Sequence, residues 1–306
     1  MLTLALLFSM RVASPAPAIA EPDPSAIVAA NYPHDLAAQL AKDGADSPEN
    51  RQQAYVLIPA SGADYIVAAY SNKIRGAVVL LQKTATGYTS AQIISSRLGD
   101  REPHVDSLDI DGDGVPEAVV TYEYGMRPEI ETHIYRLVDG RLVLISPTER
   151  HGNSAIGYPH FLNLGNGVLD LVNDRIEGTR EKPFVVHEHY VFSNGAYVAA
   201  AALDYYKVFY RDEGEPGTST SKIVIPAAAI GKPFRFVVVN GGSSGKEYRV
   251  SSAKITLNGV TLASPSDFSE QRGSWTIPVS LQQSNTLTVQ LDGKPRSRIA
   301  VAIKHD

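Results

Sequence analysis

With 306 residues the chain has the length for two packed cores, and its 43% hydrophobic and 20% charged content is that of a globular protein. It contains no cysteine, which excludes disulfides, thiolate metal sites, cysteine nucleophiles and a lipidated cysteine anchor. The net charge of −5, from 28 Lys plus Arg against 33 Asp plus Glu without a dense basic run, argues against a nucleic-acid partner.

Residues 1–20 join an apolar stretch, Leu2 to Met10, to a small-residue ending, Ala18-Ile19-Ala20, ahead of the acidic Glu21. This is the pattern of a secretory signal peptide, although the one basic residue, Arg11, follows the apolar run. The expectation is an exported protein, periplasmic, on the cell surface or secreted. The apolar run is far short of the roughly 20 residues that span a bilayer, and no later segment spans one. Residues 21–50 are Ala-rich, and Ile27, the Tyr32-Pro33 break, Leu36 and Leu40 predict two short helices.

From Tyr55 the pattern changes to short β-rich runs that repeat. Asp64, Glu117 and Asp170 lie 53 residues apart, and each opens an apolar strand: Asp64-Tyr65-Ile66-Val67, Glu117-Ala118-Val119-Val120 and Asp170-Leu171-Val172. Downstream, Val78 to Leu81 then Gly87, Ile134 to Leu137 then Gly140, and Tyr190 to Phe192 then Gly195 each read as strand, tight turn, strand. Gly87 and Gly140 keep the 53-residue spacing, and Gly195 drifts by two residues, which a loop absorbs. Residues 51–212 therefore read as three tandem repeats of about four strands each, the content of a propeller blade.

The polar run Glu213 to Ser221 reads as a linker. Beyond it, residues 222–306 alternate at Phe234/Phe236/Val238, Trp275/Ile277/Val279/Leu281, Leu287/Val289/Leu291 and Ile299/Val301/Ile303, one buried face per strand. Asn258-Gly259 between two apolar runs predicts a type I′ hairpin. About six short antiparallel strands suit a small β-sandwich. The fold class expected is all-β with short N-terminal helices.

The second repeat carries Asp109-Ile110-Asp111-Gly112-Asp113-Gly114-Val115-Pro116-Glu117. Carboxylates at alternate positions converge if the backbone coils tightly, and Gly112 and Gly114 supply that freedom. Converging hard oxygens suit Ca²⁺, with Asp109, Asp111 and Asp113 as ligands, the Val115 carbonyl placed to add another and Glu117 closing the site. A helix-loop-helix calcium loop needs its bidentate acid at the twelfth position, which here is Val120.

The arrangement D-x-D-x-D-G-x-x-E running into Ala118-Val119-Val120 resembles the FG-GAP or VCBS-type repeats of integrin-like β-propellers, over about residues 53–205. The resemblance implies a structural calcium ion held by Asp109, Asp111, Asp113, the Val115 carbonyl and Glu117. The third repeat keeps a degenerate version, Asn163 to Asp170, with Asn for two Asp, and the first has lost the ligands at Ser61 to Asp64. Propellers of that family close with about seven blades, and four to eight is the usual range. Three repeats instead pack as an open stack, borrow the N-terminal helices as a lid or complete themselves in a homo-oligomer. The strand pattern from Tyr248 to Val260, with Asn285 to Leu291, resembles Ig-like β-sandwich modules of exported bacterial proteins.

Signals of catalysis are sparse. In His187-Glu188-His189 a strand puts both histidines on one face, a weak alternative metal site that needs a third ligand. Gly241 to Gly245 fits G-x-S-x-G, and Ser219 to Lys222 and Ser243 to Lys246 fit S-x-x-K, without the helix that either constellation requires. The reading is an exported, calcium-stabilised, non-catalytic binding, adhesion or surface-interaction protein with a protein or glycan ligand. The loops Tyr124 to Glu131 and Glu149 to Tyr158 are its expected contact points. The alternatives are a metal-dependent hydrolase or accessory subunit of an exported enzyme using His187 and His189, and a structural envelope component.

Overall fold

The structure is a computed structural model that describes residues 23–43, 47, 50–60, 63–72, 75–96, 103–124, 129–147, 154–156, 159–164, 167–179, 182–211, 216–241 and 248–305. The signal-peptide expectation at 1–20 lies outside them, as do most of the two expected contact loops and the Gly242 to Glu247 stretch.

Two short helices, α1 (Pro24–Ala30) and α2 (His34–Lys42), precede the strands. Asp23 caps α1 by accepting from the Ser25 N–H at 3.1 Å, and Pro24, with no N–H to satisfy, fits the first turn. Pro33 separates the helices, as its fixed φ and missing donor require.

The rest is antiparallel β. The first sheet runs β1 (Gln52–Ala60), β2 (Ala63–Ser71), β3 (Gly76–Thr84) and β4 (Gly87–Ser96) in that order. The second runs β5 (His104–Leu108), β6 (Glu117–Tyr124), β7 (Glu129–Val138) and β8 (Arg141–Leu144), with the short β9 (Ser154–Ile156) paired to β7. The third runs β10 (His160–Asn163), β11 (Leu169–Thr179), β12 (Lys182–Ser193) and β13 (Ala196–Ala199). Each sheet is built on a four-strand meander, the second with β9 added, and the three repeats of the sequence are these three sheets. Asp64, Glu117 and Asp170 sit at the start of the second strand each time, and the turn glycines between third and fourth strands all have positive φ, 137° at Gly87, 73° at Gly140 and 82° at Gly195.

The remaining strands are β14 (Tyr205–Tyr210), β15 (Gly217–Val224), β16 (Phe234–Asn240), β17 (Ala253–Leu257), β18 (Val260–Ala263), β19 (Ser274–Val279), β20 (Ser284–Leu291) and β21 (Arg298–His305). They form a fourth sheet of order β14-β21-β16-β19 and a fifth of order β15-β20-β17-β18. None of the five sheets closes into a barrel.

The sheets stack face on face. α1 and α2 cover the outer face of the first sheet through Val28 and Leu36 against Ile66, Ala68, Tyr70 and Val79. Its other face, with Val67 and Leu80, meets Ala118, Val120, Tyr122 and Tyr135 of the second. The opposite face of the second sheet, Val119 and Ile134, meets Leu171, Tyr190 and Tyr197 of the third. Leu162 and Val172 of the third then meet Tyr206, Val237, Val239 and Ala300 of the fourth. The fourth and fifth enclose a last core around Phe234, Phe236, Ile255, Leu287 and Val301. Of the arrangements open to three repeats, the described residues adopt the stack with the helices as its lid.

Two boundaries differ from the expectation. Gly217–Val224, which takes in residues 217–221 of the expected linker 213–221, is an edge strand whose Thr218, Ser219 and Thr220 are exposed while its backbone pairs with β20, so it mimics a linker in composition. β14, ahead of that linker, pairs with β21 and so belongs to the fourth sheet instead of the repeats. The fourth sheet also departs from one buried face per strand: in β21 Ile299 to Ile303 are all buried, because its outer face is roofed by the third sheet. The expected type I′ turn is present, with φ of 51° at Asn258 and 81° at Gly259.

Candidate metal centre

The loop from Asp109 to Pro116 joins β5 to β6. It coils because Gly112 and Gly114 take φ of 76° and 86°, and its own N–H groups point inward at the carboxylates. Asp109 Oδ1 accepts from Gly112 N at 2.8 Å and Oδ2 from Gly114 N at 3.1 Å, while Asp113 Oδ1 accepts from Val115 N at 2.8 Å. Fully buried Ile110 anchors the loop between the second and third sheets, and its N–H donates to Glu117 Oε2 at 2.9 Å. Its carbonyl accepts from Leu169 N at 2.8 Å, tying the loop to the third repeat.

One carboxylate oxygen from each of Asp109, Asp111 and Glu117 lies within 4.8 Å of the other two. Three of the four expected carboxylates are thus brought together. Asp113 belongs to the same loop but turns to Arg136 of β7, whose Nη2 donates to Asp113 Oδ2 at 2.8 Å and also to Asp111 Oδ2. Arg136 Nε lies 3.3 Å from Glu117 Oε1. Val115 sets its side chain against the core between the first and second sheets.

Glu117 is 1% exposed, and its Oε1 has no hydrogen-bond partner among the described residues. Burial pushes its carboxyl up to about 7; the Ile110 N–H and Arg136 pull it down, and Asp111 and Asp113 add to the rise. Burial opposes the charge on Arg136, but Asp111, then Glu117 and Asp113, hold its pKa above the ordinary value. The cluster can therefore neutralise itself with an arginine or take a dication on the same oxygens.

Sequence reasoning missed Arg136. The signal was the hairpin register: with Ala118 opposite Tyr135, the next pair outward is Glu117 and Arg136. In the first repeat Tyr65 lies opposite Gln82, and the next pair, Asp64 and Lys83, meets at 3.1 Å. In the third, Asp170 takes His189 Nε2 at 2.8 Å and Lys304 Nζ from the fourth sheet at 3.6 Å. The acid that opens the second strand of each repeat receives a cation each time.

His187 and His189 do share a face of β12, but they do not converge on a common point. Buried His189 uses both ring nitrogens, on Asp170 and on the Ala201 carbonyl at 2.8 Å, while His187 Nδ1 meets Asp174 Oδ1 at 2.7 Å. Ser219 and Lys222 lie in strand β15.

No protein-family model matches the chain, and no curated protein matches it. Among solved structures, similarity is found to the M60 catalytic domain with the CBM51-1 and CBM51-2 domains from Clostridium perfringens ZmpB, at 9% identity and a TM-score of 0.23, over 84% of this chain and 31% of that one. It is also found to a GH31 alpha-xylosidase from Xanthomonas citri, at 9% identity and a TM-score of 0.17, over 82% of this chain and 32% of that one. The chain spans about a third of the length of each of these two proteins.

Proposed function

We propose that the chain is an exported, calcium-stabilised, non-catalytic binding protein whose second repeat holds Ca²⁺ in the Asp109 to Glu117 loop. The observation that carries this reading is the convergence of one carboxylate oxygen each from Asp109, Asp111 and the buried Glu117 within 4.8 Å of one another, with Arg136 Nε 3.3 Å from Glu117 Oε1. Carboxylates held this close repel one another, and a hard dication on their oxygens relieves that repulsion. Asp109, Asp111, Glu117 and, once released by Arg136, Asp113 are its ligands, with the Val115 carbonyl completing an all-oxygen set. The ion supplies positive charge and a fixed loop geometry. In this reading the three repeat sheets are blade-like units of the FG-GAP or VCBS kind, stacked in line, and the last two sheets are an Ig-like module. Their outer edges are the surface offered to a protein or glycan.

Calorimetric titration of the chelator-stripped full chain with calcium chloride tests the site. One equivalent is expected, lost in Asp111→Asn; an isotherm that is flat, or unchanged by that substitution, contradicts the reading.

A further inference from the structure

The sequence contains Asn166-Gly167, Asn194-Gly195, Asn240-Gly241 and Asn258-Gly259, and Asn166 lies outside the described residues. An asparagine followed by glycine is open to attack on its own carboxamide by the next backbone nitrogen, because glycine puts no side chain beside that nitrogen and leaves the backbone free to bend. Asn194 and Asn258 occupy the same kind of turn. Each pair closes a two-residue hairpin, with Ser193 opposite Ala196 and Leu257 opposite Val260, and the φ values agree, 52° and 82° in the first against 51° and 81° in the second. Both asparagines are exposed, and only their side chains are held differently. Asn258 Nδ2 donates to Asn285 Oδ1 at 2.9 Å and its Oδ1 accepts from Thr286 N at 2.8 Å, so its carboxamide is fixed at both ends. The Asn194 carboxamide makes no hydrogen bond among the described residues. Asn240 is 1% exposed, its Oδ1 accepts from Val250 N at 2.7 Å, and its Nδ2 donates to the Val250 and Ser269 carbonyls at 3.0 and 3.2 Å. The nitrogen that would attack it, Gly241 N, donates to the Arg298 carbonyl at 2.9 Å.

We propose that Asn194 is a site of spontaneous covalent modification, where the folded chain exchanges ammonia for water and gains a carboxylate, while Asn240 and Asn258 are kept unreactive by their hydrogen bonds. The Gly195 nitrogen gives its proton to solvent base and attacks Asn194 Cγ. A bond from that nitrogen to Cγ forms, the bond from Cγ to the side-chain nitrogen breaks, and ammonia leaves a five-membered cyclic imide. Water then opens the ring at either carbonyl, to an aspartyl or an isoaspartyl residue. The sum is one water in, one ammonia out and one negative charge added to a chain of net charge −5. Cyclisation requires the turn to loosen for a moment, and an exposed hairpin tip opens at low cost. At Asn258 the same loosening must also break two side-chain hydrogen bonds. The second repeat holds the aspartyl counterpart of this turn: Asp139-Gly140, with Val138 opposite Arg141, takes φ of 48° and 73°. The aspartyl product at Asn194 therefore keeps the hairpin. The isoaspartyl product adds a methylene to the main chain and disturbs the pairing of Ser193 with Ala196.

The test holds the full chain in mildly alkaline buffer at physiological temperature, folded in one arm and unfolded in guanidinium chloride in the other, and follows the peptide around each asparagine by mass spectrometry. In denaturant Asn194, Asn240 and Asn258 are expected to react at similar rates, because each precedes glycine. In the folded chain Asn194 continues to react, whereas Asn240 and Asn258 fall at least about tenfold behind it, since each hydrogen bond to be broken is worth up to about a factor of ten. Asn194→Asp is expected to melt with the parent, and a lower melting temperature contradicts the claim that the aspartyl product keeps the hairpin. Folded Asn240 or Asn258 reacting as fast as Asn194, or Asn194 protected by folding as strongly as Asn258, overturns the proposal.

Discussion

In the proposed calcium site Arg136 and the ion compete for the same oxygens, which makes Arg136→Met the most informative single substitution. The guanidinium touches Asp111, Asp113 and Glu117, whose side chains are 16%, 46% and 1% exposed. The half-exposed Asp113 contact is screened and contributes little. Glu117 and Asp111 dominate, and removing one partner of a buried ion pair costs about 3–5 kcal/mol because the remaining charge is left buried. A loss of about 3 kcal/mol is therefore expected in chelator, at the low end because Asp111 retains some solvent. Calcium at a hundred times its Kd returns about 2.7 kcal/mol, and the methionine variant binds it more tightly because no cation has to be displaced. Urea denaturation of both proteins, in chelator and in millimolar calcium, reads both quantities. The account requires a large deficit in chelator that mostly closes in calcium. A variant as stable as its parent in chelator, or one with the same deficit in both buffers, refutes the reasoning.

Glu117→Gln keeps an acceptor for the Ile110 N–H but removes a charged ligand, so calcium affinity measured by calorimetry falls at least about tenfold. Gly112→Ala forces a side chain into φ of 76° with its Cβ 3.1 Å from the Gly167 carbonyl, and a stability loss of about 1–2 kcal/mol in urea is expected. Tyr70 Oη donates to the Val28 carbonyl at 2.9 Å, which also accepts from the Asn31 N–H at 3.1 Å, so Tyr70→Phe removes one buried hydrogen bond and costs about 0.5–1.5 kcal/mol by the same assay. Burial, then Tyr32, raises the Tyr70 pKa; its contribution is thus complete below the ordinary tyrosine pKa and is lost as pH rises through the folded value, at the alkaline end of a stability profile.

The repeat was legible in the sequence because it is written in residues whose backbone or charge requirement is local. The acids opening β2, β6 and β11 and the positive-φ glycines Gly87, Gly140 and Gly195 recur wherever the same meander is built. Asn258-Gly259 was legible for the same reason. The order of stacking was not, since neighbours such as Ala118 and Val119 are both apolar although one faces the first sheet and the other the third. A strand buried on both faces carries no alternation from which to read direction. The acidic loop is legible from its carboxylate spacing, whereas Arg136 lies 19 residues beyond Glu117 and comes into view only with a register. β14 was missed because its partner, β21, is set by tertiary packing.

The central claim is that a calcium ion holds the Asp109 to Glu117 loop, and thermal unfolding of the full chain in EDTA and in millimolar calcium tests it most directly. Saturating calcium contributes about 2.7 kcal/mol at a hundred times its Kd, so the melting temperature should rise by several degrees in the parent and not in Asp111→Asn. The same melting temperature for the parent in both buffers contradicts the account.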